Sequence, residues 1–342
     1  MKVGKGPAKV ANPQDLQPMD GPMDVVVLGS LNMDLVARVA HLPQPGETLL
    51  SEGFATVPGG KGANQAVAAA RLGAATAMVG RVGEDGFGQV LRDRLQAESI
   101  DTSAVATSQQ APSGTALIAV SPDNNQIIIT AGANGEVSAA DLDRLSPYFE
   151  QAKILLLQFE IPLPIVEKAA ALAHLAGLTV IVDPAPAHAP LSPNFCQHIS
   201  ILTPNQTEAA VLSGRAVETV EEAIAAAETL QRQGIAVVIV KLGAQGVVCA
   251  TADGSFVIPA FSVRAIDTVA AGDAFNGGLA AALCQIDMQT QTLNNRPLLT
   301  SAIRYASAVA ALAVTQSGAQ SAMPTGAQVK AFLETQKKKQ TA

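Results

Sequence analysis

This sequence predicts an α/β fold, with a mainly parallel sheet covered by helices on both faces and a small second sheet beside it. Three observations carry that expectation. Short apolar, β-branched runs, "DVVVLGS" (24–30), "KILLLQ" (153–158), "LTVIVD" (178–183) and "IAVVIVKL" (235–242), have the length and character of strands buried on both faces. Helix-like segments lie between several of them, such as "EEAIAAAETLQRQG" (221–234), which Gly234 stops. Two stretches, 32–58 and 113–130, break the rhythm: they alternate, lack long helices and carry turn residues, with "SPDNN" as a hairpin tip. They read as a small sheet projecting from the body, suited to a lid or a dimer surface.

Composition narrows the function. At 342 residues the chain has room for one large α/β domain or two ordinary ones, and 48% hydrophobic content supplies a real core. Only 15% of residues are charged and the net charge is −7, which argues against a nucleic-acid or anionic-membrane surface and for small-molecule chemistry. Cys196, Cys249 and Cys284 lie far apart with no CxxC or Cys/His pattern, which suggests neither disulfides nor a zinc site and fits a reducing cytoplasm. No apolar run reaches the length of a membrane span; "SAVAALAVT" (307–315) is short and small-sided, a tightly packed internal helix. Residues 1–23, rich in Pro, Gly and polar side chains, read as a flexible tail, 24–335 as the folded domain, and 336–342 as a second, solvated tail.

Ligands of such sheets bind beyond the carboxyl ends of strands, where "DPAPA" (183–187), "TPNQTEA" (203–209) and "KLGAQG" (241–246) emerge. "GSLNMD" closes the first strand and projects Asn32 and Asp34 on one side, either as turn residues or as a donor and acceptor pair for sugar hydroxyls. In "PGGKGANQAVAAARLG" (58–73), Gly59, Gly60 and Gly62 permit close backbone approach, Lys61 offers a cation and Asn64 an amide; a tight turn with close helix packing is the plainer alternative. It is not a Walker A loop, because Gly62 follows Lys61 where Ser or Thr is required. Glu160 ends an apolar strand, where a carboxylate needs solvent or a ligand. Asn205 and Glu208 share one face of a turn or starting helix, as a cap or as part of a water and Mg²⁺ network beside phosphates.

"DTVAAGDAFNGG" (267–278) poses the sharpest choice. Asp273 stands where a helix begins and is a natural cap. Equally, Ala270, Ala271 and Gly272 leave the backbone open to an anion at a helix N-terminus. An acid beside an anion site makes chemical sense when the anion is a transferring phosphoryl group and the carboxylate takes the proton of the attacking hydroxyl.

From about Val25 to Pro324, these motifs in this order resemble the ribokinase-like carbohydrate kinase family, and within it the ribokinase branch. The most specific pieces are "GGKGANQAVAAARLGA" followed by "GRVGEDGFG", and "DTVAAGDAFNGGL". The resemblance implies a ribokinase-like three-layer sandwich with a β-sheet lid, and ATP-dependent phosphorylation of D-ribose at its 5-hydroxyl. Related kinases of 2-deoxyribose, fructose or adenosine, or a non-catalytic sensor, are the alternatives. By that likeness Asp273 is the base and Ala270, Ala271 and Gly272 form the anion hole; Asn32, Asp34, Gly59, Gly60, Lys61, Asn64 and Glu160 bind sugar. Asn205, Glu208, Lys241, Gly243, Gly246, Gly272 and Ser307 border the nucleotide with its Mg²⁺. A K⁺ ion is implied on backbone carbonyls at Asp267, Val269, Ala313, Gln316 and Gly318, with Ala322 standing where relatives offer a serine hydroxyl. The lid implies a homodimer.

Overall fold

The structure is a computed structural model that describes residues 23–122, 124–285, 293 and 295–341. The predicted N-terminal tail, 1–23, lies outside these residues except for Met23, which is buried in the core and so belongs to the domain.

Nine strands form the main sheet among the described residues: β1 (Val25–Leu28), β4 (Thr76–Gly83), β5 (Val105–Ser108), β8 (Ile154–Gln158), β9 (Thr179–Asp183), β10 (Ile201–Leu202), β11 (Val237–Lys241), β12 (Val247–Thr251) and β13 (Gly254–Ile258). Their spatial order is β13-β12-β11-β10-β9-β8-β1-β4-β5. All pairs from β11 to β5 are parallel, while β12 and β13 close one edge as an antiparallel hairpin. The four strands expected from apolar runs are all present within the predicted stretches.

Because side chains alternate along a strand, each buried run feeds two cores. Val25 and Val27 of β1 enter one, and Val26 and Leu28 the other. The first core is covered by α1 (Lys61–Arg71), α2 (Gly86–Ala97), α8 (Ala271–Cys284), α9 (Arg296–Ala313) and α10 (Gly326–Thr341). The second is covered by α3 (Ala139–Leu145), α4 (Leu163–Leu175), α5 (Pro193–Cys196), α6 (Gln206–Ser213) and α7 (Val220–Gln231). The result is the expected three-layer sandwich.

The small sheet is also as expected. Strands β2 (Asn32–Arg38), β3 (Gly53–Gly59), β6 (Gly114–Val120) and β7 (Asn125–Thr130) pair in the order β3-β2-β6-β7. Every residue of β7 is exposed, including Ile127, Ile128 and Ile129.

The predicted C-terminal tail is corrected. Helix α10 runs on to Thr341, through a Lys- and Gln-rich stretch that holds neither Gly nor Pro and is made of good helix formers. A solvated, charged sequence reads as a tail, but composition of that kind suits an exposed helix equally well.

Strand order also locates the site. From β1 the chain builds outward to β4 and β5, then returns to β8 on the other side of β1 and builds the opposite way. The reversal leaves a crevice beyond the carboxyl ends of β1 and β8.

Candidate active site

Polar side chains gather where these apolar strands end. Ser30 lies just past β1, and Gln158, Asp183 and Lys241 are the last residues of β8, β9 and β11; Gln158 and Asp183 are register partners. Helices α1 and α8 converge on this point with their N-termini. They pack so closely that a side-chain carbon at Gly277 would collide with Ala68 and come within 2.7 Å of the Gln65 carbonyl. That approach sets Asn64 and Gln65 of α1 against Asp273 of α8.

Asp273 is not the cap of its helix. The N-cap position is Ala270, in the left-handed conformation (φ 57°) and with no side-chain capping bond. Asp273 is the third helical residue, and its carboxylate accepts from the Asn64 amide at 2.9 Å and the Gln65 amide at 3.1 Å. An alanine in the left-handed region costs on the order of 1 kcal/mol. The backbone it produces turns the Ala271 N–H toward the Thr268 carbonyl at 3.3 Å, and among the described residues the N–H groups of Gly272 and Asp273 find no acceptor. These free donors face the cleft beside a buried acid. Burial pushes the Asp273 carboxyl up to about 6; the Lys61 charge opposes this and the Asp183 charge adds to it.

A second acidic cluster adjoins the first. The Glu160 carboxylate, expected to need solvent or a ligand, accepts from the Ser30 hydroxyl at 2.6 Å, from the Asn32 amide at 3.3 Å and from the Lys61 N–H at 3.3 Å. Asn134 fixes the Asn32 amide by donating to its Oδ1 at 2.7 Å, so the Asn32 Nδ2 must face Glu160. Asp34, two residues along β2, leans against Gly59, where any side chain would meet its carboxylate. Burial, then the charges of Glu160 and Asp273, push Asp34 up to about 7. Gly60 holds φ at 90°, and a β-carbon there would come within 2.7 Å of the Asn32 N–H and 2.8 Å of the Ser30 carbonyl, so close approach is its requirement. Lys61 begins α1 amid this charge. Burial opposes its protonation, but Asp273, Asp183, Glu160 and Glu208 outweigh that and raise its pKa.

On the other side of Asp273 opens a cleft of about 780 Å³. Lys61, Asn205, Glu208, Lys241, Gly243, Gly246, Ser307 and the segment Ala270–Asp273 all line it, so the residues expected at the nucleotide and anion hole come together. Asn205 and Glu208 are a reciprocal capping box on α6, the plainer of their two readings, yet the same side chains border the cleft. The Lys241 ammonium donates to Asp183 at 2.9 Å; burial opposes ionisation of Asp183, but Lys241 and then Lys61 hold it below the usual carboxylate range. Val263, Ala310 and Val314 add apolar surface to the lining of the cleft.

A model of the pfkB family carbohydrate kinases matches residues 23–326. The chain belongs to this family. A ribokinase of Haemophilus influenzae is 40% identical over 91% of this chain and 98% of its own. A deoxyribokinase of Salmonella typhimurium is 35% identical over 91% and 99%. The structure of Arabidopsis thaliana ribokinase complexed with ribose and ATP is similar with a TM-score of 0.81, at 31% identity over 92% of this chain and 99% of that one. The architecture is thus the ribokinase-like α/β sandwich, and the chain is an ATP-dependent sugar kinase.

In this kinase the two segments expected to hold a cation lie against each other. The Ile266 and Asp267 N–H groups donate to the Val314 carbonyl at 2.7 and 3.2 Å, and the Gly318 N–H donates to the Asp267 carboxylate at 2.9 Å. The stretch holding Asp267 and Val269 therefore lies against the turn holding Ala313, Gln316 and Gly318. Four residues that sequence reasoning passed over belong to the site: Gln65, Gln158, Asp183 and Ser30. Gln158 and Asp183 carried a readable signal, a polar residue closing an otherwise apolar buried strand.

No helix among the described residues is long and apolar enough to cross a membrane.

Proposed function

We propose that this kinase transfers the γ-phosphoryl group of ATP to the 5-hydroxyl of D-ribose, with Asp273 as the base. The observation that carries this reading is the buried Asp273 carboxylate, held by side chains and set beside the free N–H groups of Gly272 and Asp273. The donors neutralise charge on the transferring group while the carboxylate takes the hydroxyl proton. Asn32, Asp34, Gly59, Gly60, Lys61, Asn64 and Glu160 hold the sugar so that this hydroxyl points at Asp273. The nucleotide lies in the cleft beside Asn205, Glu208, Lys241, Gly243, Gly246 and Ser307. Glu208 and Asn205, paired on the border of the cleft, would suit Mg²⁺ held mostly by phosphate and water. When bound, Mg²⁺ screens the phosphate charges.

A panel of free sugars and nucleosides assayed by ADP release tests the substrate. We expect ribose to lead. Clear preference for 2-deoxyribose, fructose or a nucleoside overturns the ribose assignment and leaves the kinase standing. Ligand binding without any ADP marks a sensor.

Both Asp34 and Asp273 act as ionised groups, and both are raised, to about 7 and about 6. Activity should therefore fall as pH drops through 7 toward 6, in steps that belong to the coupled pair. Asp34→Asn should weaken ribose binding and move the acid limb of kcat/KM down toward the Asp273 step. A limb centred near 4 in the wild-type enzyme contradicts this assignment.

Neutral carbonyl oxygens on the Asp267–Val269 and Ala313–Gly318 segments suit a large monovalent cation, and we assign K⁺ there. Ala322 is buried and brings no hydroxyl, so Ala322→Ser should lower the K⁺ concentration giving half-maximal rate. Equal rates in K⁺ and in a large organic cation at matched ionic strength would show no such site.

The exposed Phe54 (65%), Ile127 (51%), Ile128 (65%) and Ile129 (48%) on the small sheet support a homodimer formed through the lid. Light scattering should give twice the chain mass at micromolar concentration; a monomer throughout refutes it. The three cysteines are free and buried, as a reducing cytoplasm would keep them.

A further inference from the structure

Gln65 is fully buried and bridges two acids of the site, Asp183 and Asp273. Its Nε2 donates to Asp183 Oδ2 at 3.0 Å and to Asp273 Oδ1 at 3.1 Å, so both amide protons are used. Its Oε1 accepts from Gln158 Nε2 at 2.7 Å, and Gln158 is itself fully buried at the end of β8. The opposite orientation of Gln65 would set a carbonyl oxygen against two carboxylates, so the amide has one stable direction. Gln158 is confined in turn: its own Oε1 has no partner and lies against Gly29, where any side chain would strike it. A single nitrogen thus sits between an acid that Lys241 keeps ionised and the acid assigned as base.

The geometry points to Gln65 as a positioning residue of the phosphoryl transfer: its amide, oriented by Gln158, holds the Asp273 carboxylate toward the cleft and apart from that of Asp183. The inference rests on the reading of Asp273 as base. Without the amide, two carboxylates whose bonded oxygens lie within about 6 Å of each other face one another across a gap, and Asp273, which has the field of Lys61 but no lysine hydrogen bond such as Lys241 gives Asp183, takes up a proton more readily. Asn64 alone then holds Asp273, on its other oxygen. The ionised base is depleted near neutral pH, while the sugar contacts proposed at Asn32, Asp34 and Glu160 stay in place.

Gln65→Met keeps the length and bulk of the side chain and removes both donors. We expect the acid limb of kcat/KM to move up by about one pH unit. Through lost ionisation kcat should fall about two-fold at pH 7 and about five-fold at pH 6, with KM for ribose changed less than about two-fold. A ¹³C NMR titration of the Asp273 carboxyl in ligand-free protein should move the same way, and Gln158→Met should give a smaller displacement in the same direction. A folded Gln65→Met protein whose acid limb and carboxyl titration both stay at the wild-type position overturns the inference, whatever happens to kcat. Should Gln65→Met fail to fold, Gln158→Met decides by the same two readouts, movement supporting the inference and none overturning it. Asp273→Asn separates the two levels. Wild-type turnover there sinks the base itself, whereas an inactive Asp273→Asn beside an unmoved Gln65→Met profile sinks only the role of Gln65.

Discussion

Asp273→Asn is expected to lower kcat at least about 10²-fold while leaving the protein folded, because a positioned general base contributes that much or more. The substitution keeps the shape of the side chain. Its new NH₂ group meets Asn64, whose Oδ1 is buried without a partner and can turn to accept it. Stability should change in a direction that the cap reading of this residue does not foresee. The Asp273 pKa is raised on folding from 3.8 to about 6, so its contribution to stability is full below about 4 and is lost as pH rises through 6. Asparagine has no such loss. The variant should therefore melt higher than wild type at pH 8 and show little advantage at pH 4, the difference being on the order of 1 to 3 kcal/mol. Wild-type-like turnover ends the base assignment. A variant that melts lower at pH 8 would mean that the carboxylate holds the helix end after all.

Lys61→Met should have the next largest effect, and a broader one. Lys61 lies within the fields of Asp273, Asp183, Glu160 and Glu208, and its removal leaves Lys241 as the remaining lysine beside Asp183. Asp273 then loses the charge that most opposes its upward shift. Its protonation at neutral pH should lower kcat/KM by at least about 10²-fold, with loss of sugar and phosphate contacts adding to the effect. Repulsion among the remaining carboxylates should lower the melting temperature at pH 7 and much less at pH 5, where part of that charge is titrated away. Melting curves at the two pH values check this. An equal loss at both would mean that Lys61 contributes packing of its methylenes rather than charge.

How much of this was legible in the sequence depended on distance along the chain. The Gly59–Lys61 turn, Asp273 and the strand-end segments declared themselves because glycine, small residues and abrupt polar stops are local features. The role of Gln65 did not. It stands next to Asn64 in the same motif, but its partners are 93, 118 and 208 residues away, and no local pattern says that one amide will reach two strands and a helix. Asp273 was ambiguous for a related reason. Whether an acid near a helix start serves as a cap depends on where the first turn closes, and the left-handed Ala270 moved that point so that Asp273 faces side chains. The C-terminal helix was missed because charge was read as solvation, though nothing in "ETQKKKQTA" breaks a helix before its end.

The reversal of strand order at β1 has a consequence for how such an enzyme can change. Under the proposed assignment, residues 30–64, together with Glu160, would build the face that receives the phosphoryl group, and residues from Asn205 onward, which line the cleft, the face that delivers it. Acceptor and donor are thereby written in separate stretches of the chain, meeting at Asp273. Mutational drift in the first stretch can retune which alcohol is taken without disturbing the delivery apparatus. A chimera that exchanges residues 30–64 with those of a deoxyribokinase tests whether inheritance of sugar preference follows that division.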